Sequence, residues 1–409
     1  MLLAHLARGA IRSGRLTIVD ARGCRHQLGS STGPHVVIRL HDRLLPYQLC
    51  WNPYLHLGEA YMDGRLTIEE GDLRTFLEIL TVNEHHLERH RLIRSLEHLR
   101  CWMRLLQQIN PIRRARVNVA HHYDLSGELY DLFLDSDRQY SCGYFTHDHG
   151  DLERAQYDKK RHLAAKLRLE PGRRILDIGS GWGGLAMTLA EAGADEVLGI
   201  TLSKEQHDVS RRRAAEAGLG DRVTFELRDY REQTGRFDRI VSVGMFEHVG
   251  LPHYAAFFSK IRDLMTDDGV AVVHSIGRMG GPSYTNPWTR KYIFPGGYTP
   301  ALSEVLPVVE RLGLWLTDVE VLRLHYAETL RLWRQRFDAH RDEVTRLYDE
   351  RFSRMWEFYL IGAELAFRRG DLMVFQLQLA KNQEVVPLTR DYITDWERSH
   401  PAEISLAAE

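Results

Sequence analysis

Apolar positions change their spacing several times along the chain, and each change marks an element. In RILDIGSGWGGLAMTLA, residues 174–190, Ile175, Leu176 and Ile178 make a short buried strand, and Leu185, Met187 and Leu189 begin an apolar helical face. The alternation continues downstream. Arg174 to Ile178, Glu196 to Thr201, Val223 to Leu227, Arg239 to Val243 and Val270 to His274 read as strands separated by helical pattern or turns. This order predicts an α/β fold with a parallel, doubly wound sheet, whose ligands sit at the carboxyl ends of the strands.

Upstream the pattern differs. RLTIVD and HVVIRL alternate like strands, and LGEAYMDGRLTIEEGDLRTFLEIL gives a turn, a short strand and an amphipathic helix, so residues 1–83 are expected to form a small accessory α+β domain. From 84 to 117, Leu92, Leu96, Leu99, Met103 and Leu106 fall at helical spacing, while Arg89, Arg91, Arg94, Arg100 and Arg104 make the other side basic. A solvated interdomain linker and a membrane-surface helix both fit that stretch. DLERAQYDKKRHLAAKLRL reads as an amphipathic helix closed by Pro171-Gly172. From Pro300 onward, through LMVFQLQL, the pattern is helical, with an aromatic stripe at Trp333, Phe337, Phe352, Trp356 and Tyr359. Residues 118–395 are expected to form the catalytic domain.

Length and charge narrow the picture. A chain of 409 residues suits one large domain with a smaller one. A net charge of -2 gives no global drive toward nucleic acid or anionic lipid, so any membrane affinity must be local. Cys24, Cys50, Cys101 and Cys142 lack metal-ligand spacing and suit reduced thiols. No apolar run approaches a membrane span, and MLLAHLARGAIRSG has no cleavage-site pattern, so the expected location is cytoplasmic, neither secreted nor integral. His121, His122 and His248 take no assigned role, and HHYD is not spaced for zinc, so no metal is expected.

The chemistry starts at Gly179, Gly181, Gly183 and Gly184. Their order, G-x-G-x-G with Asp177 two residues ahead, departs from the G-x-G-x-x-G that places pyrophosphate on a helix, and no P-loop lysine follows. A ligand-free turn remains compatible with the glycines alone. The string resembles the first motif of class I S-adenosylmethionine methyltransferases. Joined with ITLSKEQ, FDRIVSVGMFEHVG, AHHYDL, YSCGYF and NPWTRKYIFPGG, it makes the chain from about Val117 to Lys381 closely resemble cyclopropane-fatty-acyl-phospholipid synthases. LGEAYMDGRLTIEEGDL resembles the N-terminal domain of the longer bacterial members, which the mycolic-acid cyclopropane synthases lack.

That resemblance implies a class I methyltransferase fold and S-adenosylmethionine as co-substrate. Carried onto this chain, the cofactor contacts fall on Tyr140, Ser141, Asp177, Gly179, Ser180, Gly181, Thr201, Leu202, Ser203, Gln206, Asp229 and Tyr230. Most methyltransferases place an acid after the second strand for the ribose hydroxyls; Thr201, Leu202, Ser203 and Gln206 stand there instead. The resemblance further implies a bound bicarbonate as base, held by Cys142, Glu247, His274, the backbone N–H of Ile276, and Tyr326. Tyr144, Phe246 and Tyr298 are candidate aromatic faces for a carbocation, and the stripe from Trp333 to Tyr359 is a candidate wall for an acyl chain. The implied substrate is a membrane phospholipid with unsaturated acyl chains, met by peripheral contact at the inner face of the cytoplasmic membrane by a homodimer, with no nucleic acid involved. A fatty-acyl C-methyltransferase of the same fold and a non-catalytic lipid-binding protein are the competing expectations.

Overall fold

The computed structural model describes residues 2–7, 9–30, 33–87, 108, 127–146 and 151–400. The basic stretch from Leu92 to Leu106, together with His121 and His122, lies outside the described residues. The described chain forms two compact units: one takes the residues up to 87 with 283–295 and 330–372, the other 108–282, 296–329 and 373–400.

In the first unit, β1 (Arg15–Val19), β2 (Arg25–Gly29), β3 (His35–Leu40) and β4 (Leu66–Glu70) form a sheet in the order β2-β1-β3-β4. β1 and β2 pair antiparallel across a turn in which Asp20 Oδ1 accepts from the N–H groups of Arg22 and Cys24, at 2.9 and 3.0 Å. β1 and β3 run parallel. Alternate residues Leu16, Ile18, Val36, Ile38 and Leu40 are buried, and the helix Leu73–Val82 covers them with Phe76, Leu77 and Ile79. Ile361 and Leu365, from the helix Glu350–Arg368, complete this core. The unit therefore gathers two stretches that sequence pattern alone assigns to the catalytic domain, because the sheet face is too wide for its own helix to cover. Trp333, Phe337 and Trp356 are fully buried in the same unit.

Gly58, read as part of a turn, lies inside the helix Pro53–Met62. Its missing side chain admits the indole of Trp288, whose Nε1 donates to Met62 Sδ at 3.2 Å. Asn83 secures the end of the helix Leu73–Val82. Its Oδ1 accepts from the N–H groups of Arg12 and Ser13 at 2.7 and 3.0 Å, and its Nδ2 donates to the carbonyls of Ser13 and Ile79 at 2.9 and 2.7 Å. Asn83→Ala leaves the buried Ile79 carbonyl and the part-buried groups of Arg12 and Ser13 without these bonds, at a cost of about 2 kcal/mol. The expected readout is a lower midpoint of chemical denaturation, and an unchanged midpoint would refute the role given to this side chain.

The second unit holds a seven-stranded sheet: β5 (Arg174–Ile178), β6 (Glu196–Thr201), β7 (Val223–Leu227), β8 (Phe237–Val243), β9 (Met265–Arg278), β10 (Trp315–Leu322) and β11 (Leu372–Ala380), in the order β10-β11-β9-β8-β5-β6-β7. β5 through β9 pair parallel, and β10 pairs antiparallel with β11. Leu176, Ile178 and Ile240 pack on one face with Phe257, Phe258 and Ile261; Ile175, Val197, Val241 and Val272 pack on the other with Leu163, Leu185 and Leu189. Both faces are covered, as a parallel sheet requires. β10 and β11 correct the expectation of an all-helical region after Pro300. Phe375, Leu377 and Leu379 face one core, while Gln376 and Gln378 point to the other side and are also buried.

Candidate active site

After β5 the chain turns through Gly179, Ser180, Gly181, Trp182 and Gly183 into the helix Gly184–Glu191. Its glycines answer different demands. Gly179, Gly181 and Gly183 lie at φ of +86°, +55° and +87°, where a β-carbon is strained. At Gly183 a β-carbon would also meet Phe225 Cζ at 2.6 Å and Ser210 Cβ at 2.9 Å. Gly184 abuts the carboxylate of Asp137, which is held by Lys160 at 2.5 Å and by Arg213. Of the four, Gly181 faces open space, with no described atom within 4 Å of a β-carbon built there.

That space is a cavity walled by Tyr140, Ser141, Asp177, Gly179, Ser180, Gly181, Thr201, Leu202, Gln206, Asp229 and Tyr230. Eleven of the twelve expected cofactor residues are thus brought together at the carboxyl ends of β5, β6 and β7. Ser203 is not among them. Its hydroxyl caps the helix Lys204–Glu216 by accepting from the Gln206 N–H at 3.3 Å, so its sequence position beside Leu202 reflects a helix start. His248, which sequence left without a role, also lines the cavity, as do Arg138, Gln139, Trp182 and Met245, which were not singled out by sequence. Trp182 could have been: it interrupts the glycines, and its Nε1 donates to Glu205 Oε2 at 3.0 Å, fixing the turn to the next helix.

Two polar atoms in the cavity wall, Asp177 Oδ2 and Ser180 Oγ, are buried without a hydrogen-bond partner among the described residues. Burial pushes the Asp177 carboxyl up to about 7, against the pull of the Lys159 ammonium. A ligand bearing an ammonium would relieve both the burial and the missing partner, and a cofactor's amino-acid end is what the glycine turn is expected to hold. At the end of β6, Thr201 Oγ1 donates to Gln206 Oε1 at 2.9 Å. That bond orients the Gln206 amide, which, unlike the usual acid, also carries N–H donors. Asp229 shares its carboxylate with Arg231, whose Nε and Nη2 donate at 2.8 and 2.7 Å. The residues present fit S-adenosylmethionine.

The five expected catalytic residues are not among the residues lining this cavity. Glu247 Oε1 accepts from the Ile276 N–H at 2.7 Å, two residues beyond His274 on β9, and Glu247 Oε2 is buried without a hydrogen-bond partner among the described residues. Burial pushes this carboxyl up to about 7, with the Ile276 N–H pulling it down. The Ile276 N–H thus ties this carboxylate to β9. Burial holds His274 down to about 3, so it is neutral. Gln376 Nε2 donates to its Nδ1 at 3.1 Å, which leaves the ring proton on Nε2. Next to Cys142, the Gly143 N–H donates to Thr329 Oγ1 at 3.0 Å, one turn after Tyr326 on the helix His325–Ala339. Burial drives the Cys142 thiol upward and keeps it protonated, donating to the Gly143 carbonyl at 3.2 Å.

The aromatic candidates have other work. Tyr144 is stacked between His162, at 4.1 Å, and His325, at 5.1 Å, so both its faces are covered. Phe246 packs on Tyr254 and Phe257 in the core. Tyr298 donates its hydroxyl to Glu304 and its N–H to the Glu247 carbonyl, at 2.7 and 2.9 Å. Sequence pattern also misreads the helix Leu152–Lys166 as amphipathic: Asp158, Lys159, Lys160, Arg161, His162 and Lys166 are all buried. DKKRH covers every side of a helix with charge, and that was the available signal.

Residues 111–377 match the family described as mycolic acid cyclopropane synthetase. The chain is 37% identical over 331 residues to the cyclopropane-fatty-acyl-phospholipid synthase of Escherichia coli (strain K12), a span of 81% of this chain and 84% of that protein. It is 38% identical over 340 residues to the tuberculostearic acid methyltransferase UfaA1 of Mycobacterium tuberculosis, covering 79% and 78%. Among solved structures, a mycolic acid cyclopropane synthase complexed with SAH and CTAB is similar at a TM-score of 0.62 and 33% identity, over 66% of this chain and 99% of that one. With the sheet order and the glycine-walled cavity already pointing to one cofactor, the chain belongs to the mycolic acid cyclopropane synthetase family and is an S-adenosylmethionine-dependent methyltransferase.

Proposed function

We propose that this enzyme transfers a methylene group from S-adenosylmethionine to the cis double bond of unsaturated acyl chains in membrane phospholipids, closing a cyclopropane ring. When bound, the cofactor supplies a sulfonium-activated methyl group, whose addition to an alkene leaves a carbocation on the acyl chain. This chain's residues must then exclude water and provide a base. The observation that carries the reading is the buried Glu247 carboxylate, anchored through Oε1 and with Oε2 lacking a hydrogen-bond partner among the described residues, together with the neutral His274 two residues before Ile276. Glu247 Oε2 suits the single OH of a bicarbonate ion; the His274 Nε2–H and the Tyr326 hydroxyl suit its other oxygens as donors. Cys142, kept neutral, cannot be the base. Contact with the bilayer is peripheral in this reading, since no described helix is long and apolar enough to cross a membrane.

The name of the tuberculostearic acid methyltransferase, at 38% identity, favours a second outcome in which the same cation loses a proton without closing a ring, leaving a methyl-branched or exocyclic alkene that only a separate hydride donor would turn into a saturated methyl branch. Lipids extracted from a host that makes no cyclopropane lipids, with and without this chain expressed, separate the two. Mass spectrometry should show one added carbon, and proton NMR should show high-field ring resonances. A methyl branch or an exocyclic methylene in their place would overturn ring closure.

A further inference from the structure

Lys159 is fully buried on the helix Leu152–Lys166, and neither the cavity wall nor the proposed base site uses it directly. Its ammonium donates to Gln139 Oε1 at 2.7 Å and Ser141 Oγ at 2.8 Å. One turn earlier, Gln156 Nε2 donates to the carbonyls of Gln139 and Ser141, at 3.2 and 2.9 Å. Four hydrogen bonds from one helix thus fix the stretch Gln139–Ser141, which forms one wall of the cofactor cavity.

The charges facing Lys159 come from several elements. Asp135 and Asp137 follow the helix Gly127–Phe133, Lys160 is on its own helix, Cys142 adjoins Ser141, Asp177 is on β5 and His274 on β9. Most are already answered. Asp137 is bound by Lys160 and Arg213, and Asp135 accepts the N–H groups of Gln139 and Asp137 at 2.9 and 3.2 Å. Cys142 and His274 are neutral. The carboxylate left without a hydrogen-bond partner among the described residues is Asp177.

We propose that Lys159 is a positioning residue for the cofactor: its hydrogen bonds fix the Gln139–Ser141 wall, and its charge sets the electrostatics of the Asp177 carboxylate that meets the ligand's ammonium. This rests on Asp177 as the contact for the amino-acid end of S-adenosylmethionine. Asp177 must be ionised to take that ammonium, so affinity falls as pH drops through its titration, at about 7. Removing a neighbouring cation disfavours the ionised form and moves the titration upward.

Dissociation constants for S-adenosylmethionine, measured by calorimetry on the full chain between about pH 5.5 and 8, test this. Wild type should bind more weakly below about pH 7. K159Q, which keeps an N–H donor and loses the charge, should raise the midpoint by about one unit and so weaken binding at pH 7 by about fivefold, approaching about tenfold at the acid end of the range. K159R should restore the wild-type midpoint. A K159Q midpoint equal to wild type overturns the role of Lys159. Wild-type binding that does not change with pH would instead remove Asp177 as the contact, a separate failure. Should K159Q melt near the assay temperature, the titrations are repeated below its melting point, where a midpoint above wild type supports the proposal and one equal to wild type overturns it.

Discussion

Glu247→Gln is expected to lower turnover by at least about 100-fold, within the range that a positioned acid or base contributes, while S-adenosylmethionine affinity stays at the wild-type level. The two halves of that expectation have separate structural causes. Glu247 is absent from the cavity wall, which is built from Asp177, Thr201, Gln206 and their neighbours, so the cofactor loses no contact. Gln retains the oxygen that accepts from the Ile276 N–H, so the short helix Phe246–His248 keeps its anchor on β9. What changes is the second atom, where an N–H donor replaces a buried acceptor and can no longer take a bicarbonate hydroxyl. A neutral amide is also cheaper to bury than a carboxylate that burial has already pushed up to about 7, so thermal stability should not fall. Single-turnover product formation and calorimetry are the measurements. Turnover equal to wild type would take Glu247 out of the mechanism, and loss of affinity with intact turnover would place it in the cofactor site instead.

The strands that were legible in the sequence are those whose apolar runs stand between helices and glycine turns, as β5 to β9 do. β11 was not, although FQLQL carries a period of two. Helical pattern precedes it, and its two faces are both buried, so Gln376 and Gln378 alternate with apolar residues for the sake of buried hydrogen bonds rather than solvent. The residues of the cavity wall were legible because most are local strings at strand ends, and the parallel sheet gathers strand ends in one place. Ser203 stands apart from that wall as a helix cap, and a helix cap and a ligand contact use the same residue types. Lys159 and the Ile276–Glu247 bond could not be read. The first is a long-range consequence of how the helix Leu152–Lys166 packs, and the second joins residues 29 apart in sequence, through a backbone group that no residue type announces.

Gly183→Ala and Gly181→Ala, two residues apart in one motif, are expected to fail in opposite ways. At Gly183 the left-handed backbone adds strain of about 1–2 kcal/mol, and the β-carbon runs into Phe225 and Ser210. Phe225 cannot slide aside, because its ring is also pressed against Gly199, where a β-carbon would lie 2.6 Å from Phe225 Cε1. Ser210 is a buried residue on the helix Lys204–Glu216, so relief on that side means moving a helix. Adding overpacking to strain gives a loss of about 2–5 kcal/mol, read as a lower denaturation midpoint, with cofactor binding lost as the turn is displaced. Gly181→Ala bears a similar backbone strain but meets no protein atom. Its methyl group projects into the space that the cavity walls enclose, so stability should fall by only about 1–2 kcal/mol. S-adenosylmethionine affinity should drop by at least about tenfold, or 1.4 kcal/mol. Denaturation and calorimetry on both variants separate a glycine required by packing from one required by a ligand. If Gly181→Ala bound the cofactor as wild type does, the open side of the turn would not be where it sits.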